Sequence, residues 1–118
     1  MNLSCHCGSV KIEVANKPKS LTSCNCSVCN RYGALWGYYN PEQVLVDIGE
    51  GGISKYCWGD KCINFIHCDI CGCITHYETT EKVSDAKVVV NFRMANPSEI
   101  EGIKIRKFDG AVSWRFIG

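Results

Sequence analysis

Three cysteines fall within six residues, Cys24-Asn25-Cys26-Ser27-Val28-Cys29, and no other stretch constrains this chain as tightly. In an extended chain the side chains at i and i+2 share a face but lie about 7 Å apart, near the limit of disulfide geometry. A metal ion about 2.3 Å from each sulfur tolerates that spacing easily. Three thiolates leave a tetrahedral shell one donor short. A distant residue that completes the shell makes a closed structural site. A fourth position open to water or substrate makes a candidate Lewis acid.

The remaining cysteines are grouped as well. There are 10 in 118 residues, at 5/7, 24/26/29, 57/62 and 68/71/73. Met1-Asn2-Leu3-Ser4 runs straight into Cys5 without a basic segment or an apolar run, so the expected compartment is the cytoplasm. In a reducing compartment, short-spaced cysteine groups read as metal sites rather than disulfides. Cys68-Asp69-Ile70-Cys71-Gly72 has the form of a metal knuckle, in which Gly turns the chain so that backbone N–H groups face the sulfurs. Cys5-His6-Cys7-Gly8 ends the same way. Two half-sites make one tetrahedral set, so Cys5, Cys7, Cys68 and Cys71 are expected to form a structural zinc clip. For the group Cys24, Cys26 and Cys29, the candidate fourth donors are Cys73, His76, His67, His6 or none. His6 and His67 are expected to neighbour metal ligands rather than to ligate. Cys57 and Cys62 fall outside both sets and are expected to be free thiols.

Breakers are spread evenly along the chain, so its elements must be short. Val10 to Val14 alternates apolar and polar residues as a half-buried strand does. Further strands are expected at Leu21 to Ser23, Ala34 to Tyr39, Val44 to Ile48, Ile74 to Glu78, Lys87 to Asn91, Ile103 to Phe108 and Val112 to Phe116. Ser54 to Trp58 and Lys61 to His67 read as a hairpin about a Gly59-Asp60 turn, which sets Cys57 opposite Cys62. Asn96-Pro97-Ser98-Glu99 signals a short helical turn. The expected fold is one mostly β domain over residues 1–118, built from several short antiparallel sheets stapled by zinc, with little helix. Trp36 and Tyr38 share one face of their strand and could wall a pocket over the central group. Asn91 reads as a hydrogen-bonding brace for a knuckle. Arg93 could hold a substrate carboxylate, or pair with Asp109.

In order, the motifs C-H-C-G, C-N-C-S-V-C followed by R-Y-G-A-L-W, H-C-D-I-C-G, V-N-F-R and F-D-G resemble the glutathione-dependent formaldehyde-activating family, or S-(hydroxymethyl)glutathione synthases, to which centromere protein V is also similar. The resemblance runs from Cys5 to Gly110. It implies a β-rich zinc fold of several coiled sheets, related to that of a chaperone of Rab GTPases. It also implies two zinc ions: a structural one on Cys5, Cys7, Cys68 and Cys71, and a catalytic one on Cys24, Cys26 and Cys29. The implied activity is that of a carbon–sulfur lyase, joining a small thiol such as glutathione to an aldehyde such as formaldehyde.

Composition narrows the alternatives. Net charge is +1, and Lys and Arg are scattered singly, so neither nucleic acid nor a membrane surface is an expected partner. No apolar run approaches the roughly 18 residues that span a bilayer. At 46% hydrophobic residues, the chain has more core than a metal buffer needs. The competing expectation is a zinc-stapled β domain that serves as a protein-interaction module without catalysis.

Overall fold

The computed structural model describes residues 1–117. It is mostly β, with 44% of residues in strands and 13% in helical segments. In chain order the strands are β1 (Asn2–Ser4), β2 (Val10–Val14), β3 (Ser20–Cys24), β4 (Trp36–Tyr39), β5 (Val44–Ile48), β6 (Ile53–Tyr56), β7 (Ile63–Cys68), β8 (Ile74–Thr79), β9 (Val88–Asn91), β10 (Lys104–Asp109) and β11 (Arg115–Ile117). One short α-helix, α1 (Ser27–Tyr32), follows β3. Three-residue 3-10 turns lie at Pro41–Gln43, Phe92–Met94 and Pro97–Glu99. The last carries the Asn96–Glu99 capping box that its sequence signals.

The strands form two sheets. The small one has the order β1-β2-β5 and the large one the order β11-β10-β3-β4-β9-β8-β7-β6. Neighbours are antiparallel except β10 and β3, which run parallel with Phe108 opposite Cys24. That pairing brings the C-terminal hairpin beside the central cysteine group. The middle of the large sheet is covered on both faces. Leu35, Tyr39, Val90 and Phe92 pack with Leu3, Val10, Ile12 and Val14 of the small sheet. Trp36 and Val89 pack with Phe65, Tyr77 and Cys29 on the opposite side. The period-two alternation of β4 therefore divides its residues between two cores.

The hairpin between β6 and β7 departs from the expected register. Tyr56 pairs with Phe65, and residues 57–62 form a loop rather than strand ends. Gly59 does begin the turn, with φ +66, but Lys61 also lies in the left-handed region, with φ +64. The Cys62 carbonyl accepts from Thr80 N at 2.8 Å and the Lys61 carbonyl from Thr80 Oγ1 at 2.7 Å. Those backbone groups are satisfied beyond β8, so Cys57 and Cys62 are not ladder partners. All 10 cysteines are free of disulfides.

Asn91, 5% exposed, ties three segments together. Its Oδ1 accepts from Leu35 N at 3.2 Å and Arg93 N at 3.1 Å, and its Nδ2 donates to Ile74 O at 2.8 Å. Each partner left unpaired in a dry interior costs about 1–3 kcal/mol. Asn91→Ala should therefore lower the unfolding free energy by about 3 kcal/mol, measured by urea titration of metal-loaded protein. A loss below about 1 kcal/mol would show that the brace carries little load.

Candidate metal centres and the cavity between the sheet ends

Cys5, Cys7, Cys68 and Cys71 converge, with all four sulfurs within 4.8 Å of one another. Cys5 and Cys7 lie in the β1–β2 turn, Cys68 and Cys71 in the β7–β8 turn. The two turns copy each other. Gly8 N bonds Cys5 O at 3.1 Å, and Gly72 N bonds Cys68 O at 2.9 Å. Both glycines have positive φ, +83 and +78, the left-handed geometry that lets each chain fold back. Val10 N donates to Cys5 Sγ at 3.2 Å and Ile70 N to Cys68 Sγ at 3.4 Å. The sulfurs of Cys5 and Cys7, and of Cys7 and Cys68, are 3.6 Å apart. That is close to the edge of about 3.8 Å expected for a tetrahedron with metal–sulfur bonds near 2.3 Å. The backbone N–H of Cys73, and then that of Cys7, holds the Cys71 thiol down at about 5. The donor set suits a metal ion.

Cys24, Cys26 and Cys29 form a second group within the same limit. Here β3 ends and α1 begins, so the stretch is a turn into a helix and not extended chain throughout. Cys26 caps the helix, its sulfur accepting from Cys29 N at 3.4 Å, while Cys26 N donates to Cys24 Sγ at 3.4 Å. Gly33 closes the helix with φ +62. Burial pushes the Cys29 thiol well up. Trp36 Nε1 is buried with no hydrogen-bond partner among the described residues, and Trp36 packs in the same buried cluster as Cys29. A thiolate at Cys29 would offer that unpaired indole N–H a stronger acceptor than a thiol does. No fourth cysteine, histidine or carboxylate joins the set among the described residues.

The second group opens into a cavity of about 370 Å³. Trp36 and Tyr38 line it, as the shared face of β4 predicts. Phe65 and Tyr77 come from β7 and β8, and Phe108 and Trp114 from the C-terminal hairpin. Trp58, Asp60 and Cys62 reach it from the 57–62 loop. That loop joins β6 and β7 at one end of the large sheet, and the hairpin is the other end. The sheet therefore curls until its two ends close over the cysteines. Gly110 is required there: a Cβ would lie 2.7 Å from Cys24 Sγ.

The other sequence candidates lie elsewhere. Cys73 sits beside Cys71 and Cys5, in a wider recess that also holds His6, Arg31 and Arg93, so it does not complete the central group. His76 is 1% exposed, with Nδ1 2.8 Å from Thr75 Oγ1 and Nε2 3.5 Å from Glu78. Side chains alternate along β8, so Tyr77 and not His76 faces the cavity. Arg93 Nε donates to Gly33 O at 3.1 Å at the end of α1, and Arg93 pairs with neither the cavity nor Asp109. Asp109 instead accepts from Asn25 Nδ2 at 2.9 Å and Ser113 Oγ at 2.8 Å. His67 lies 3.8 Å from Asp69. Phe65, Tyr77, Phe108 and Trp114 carry no local signal that assigns them to the site.

No family model matches the chain, and no curated protein matches it. The crystal structure of a Rhodobacter sphaeroides protein is similar, with a TM-score of 0.71 and 26% identity over 89% of this chain and 99% of that one. The two share a fold. No helix among the described residues is long and apolar enough to cross a membrane.

Two predictions follow from the geometry. Metal analysis should find about two ions per chain in the parent and about one in the folded Cys24→Ser/Cys26→Ser variant, whereas Cys68→Ser/Cys71→Ser should not fold. One ion in both parent and Cys24→Ser/Cys26→Ser would remove the second site. Trp36→Phe should weaken metal at the central group by about tenfold in chelator competition and leave the first group unchanged, as the loss of an outer hydrogen bond does.

Proposed function

We propose that both groups hold zinc and that the protein is a carbon–sulfur lyase-type enzyme that makes or breaks a thiol–aldehyde adduct at the central one. Tetrahedral all-sulfur donor sets favour zinc. The observation that carries the reading is the contrast between the groups. Four sulfurs meet at the first and only three at the second, and the second faces a cavity. The family resemblance supplies the example of glutathione and formaldehyde giving S-hydroxymethylglutathione.

Zinc on three thiolates supplies a mild Lewis acid that lowers the pKa of an incoming thiol into the neutral range. The chain's own residues do the rest. Aromatic walls exclude water and hold thiol and aldehyde together, where proximity provides much of the gain because free thiols already add to formaldehyde. The S–C bond forms as the C=O π pair moves to oxygen, and that oxygen takes a proton. Tyr77 lines the cavity, and burial, then neighbouring Tyr38, keeps its phenol protonated and a poor acid, so its O–H serves as a hydrogen-bond donor to the developing oxygen while the proton itself comes from solvent. Tyr38, 53% exposed and also lining the cavity, marks the mouth through which solvent reaches it.

A second reading is a protein-interaction module without catalysis. It draws on the C-terminal hairpin, where Val112 is 88% exposed and Trp114 71%. The experiment that separates the two is the exchange rate of ¹³C-formaldehyde with its adducts of glutathione and of thiocholine, measured by NMR with zinc-loaded protein. The enzyme reading expects saturable acceleration that falls at least about 100-fold in the Cys26→Ser variant. Equal rates with parent, variant and no protein for both thiols would overturn it.

A further inference from the structure

We propose that the central cavity selects a cationic ligand, with an ammonium-bearing thiol or aldehyde as its substrate class, over an anionic one; the thiol part rests on the reading above. Among the described residues, no Lys, Arg or His lines the cavity, and Asp60 is its one carboxylate. Asp60 Oδ1 accepts from Cys62 N at 3.2 Å, and no ion pair among the described residues engages it. The nearest ammonium groups are turned to carbonyls, Lys61 Nζ to Cys57 O at 3.0 Å and Lys82 Nζ to Asp60 O at 3.2 Å. Lys82 offsets part of the Asp60 field without lining the cavity.

The remaining wall has the same electrostatic sign. Trp58, Trp114 and Tyr38 line the cavity and stay partly exposed, and aromatic rings, Trp most strongly, attract a cation to their electron-rich faces. Three thiolates with one divalent ion leave a charge of about −1, so metal loading does not reverse the preference. Carboxylate recognition calls for Arg. Arg31 and Arg93 lie in the recess beside the first group, away from this cavity. A thiol with two carboxylates and one ammonium, as in glutathione, brings a net negative charge to a wall with no cation to receive it.

All 3 tryptophans of the chain line the cavity, so their fluorescence reports its occupancy directly. Zinc-loaded protein would be titrated with two thiol-free probes, benzyltrimethylammonium and phenylacetate. The cation should bind at least about tenfold more tightly. Asp60→Asn keeps the acceptor for Cys62 N and removes the charge. It should weaken the cation by about fivefold without weakening phenylacetate. Equal or tighter phenylacetate binding, or a cation preference untouched by Asp60→Asn, would overturn the proposal. Cysteamine against 3-mercaptopropionate repeats the contrast with thiols. A cation preference without thiol–aldehyde turnover would leave the cavity assignment standing and sink the enzyme reading. Turnover that runs best with an anionic thiol would do the reverse.

Discussion

The sulfurs of Cys7 and Cys68 lie 3.6 Å apart although 61 residues separate them. Cys7 belongs to a turn of the small sheet and Cys68 to a turn of the large one, so this contact is where the two layers are joined. Three strands of three to five residues make a weak sheet by themselves. The small sheet persists because Leu3, Val10, Ile12 and Val14 are buried against Leu35, Tyr39, Val90 and Phe92. Four thiols at such distances repel once ionised, and only a cation among them turns the repulsion into attraction. Metal bound at this group would therefore contribute directly to folding, by closing a long loop.

The central group uses the same side chain in a different setting. The first group receives two knuckles, one from each sheet, and each brings two sulfurs. The central group receives one turn, and the chain that arrives opposite it is the β10–β11 turn. Gly110 stands at the closest point of that turn, where any side chain would collide with Cys24. That turn therefore brings no side-chain donor, and an ion held there would have three sulfurs with its remaining position toward the cavity. Cys29 is backed by the packed cluster of Trp36, Phe65 and Tyr77, which leaves the cavity side of the group open.

Much of this was legible in the residues, and the exceptions have physical causes. β2 matches its expected bounds because apolar and polar residues alternate without interruption, whereas β5 matches on a β-branched run in which Leu45, 68% exposed, breaks the alternation. Helix α1 was missed because six residues offer too little periodicity, although Gly33 was an available stop signal. The 57–62 register failed because Lys61 adopts a left-handed conformation that a two-residue turn does not need. His76 and Tyr77 differ by one step of strand parity, and spacing alone does not settle parity across the irregular step between β7 and β8 at Ile66 and His67. The parallel pairing of β10 with β3 joins segments about 84 residues apart and leaves no mark on either segment.

That parallel pairing has the largest functional consequence. Strands β10 and β11 are exposed along most of their length, so burial does little to hold them. Their rigidity comes from the ladder to β3 and from a local aromatic cluster. Phe108 stacks edge-on with Trp114 at 5.1 Å and with Phe116 at 5.0 Å, and Arg106 lies 3.7 Å over the Phe116 ring. On the opposite rim, Trp58 rides on a loop whose backbone is fastened to Thr80. Both rims of the cavity are thus held by hydrogen bonds and ring contacts near the surface, while its floor of Trp36, Phe65 and Tyr77 is packed core. Local opening is cheapest where burial is least. The hairpin rim is tied to the cysteine turn itself, Asn25 N donating to Phe108 O at 3.2 Å and Asn25 Oδ1 accepting from Ala111 N at 3.0 Å, so the rim that can open without shifting the sulfurs is the 57–62 loop.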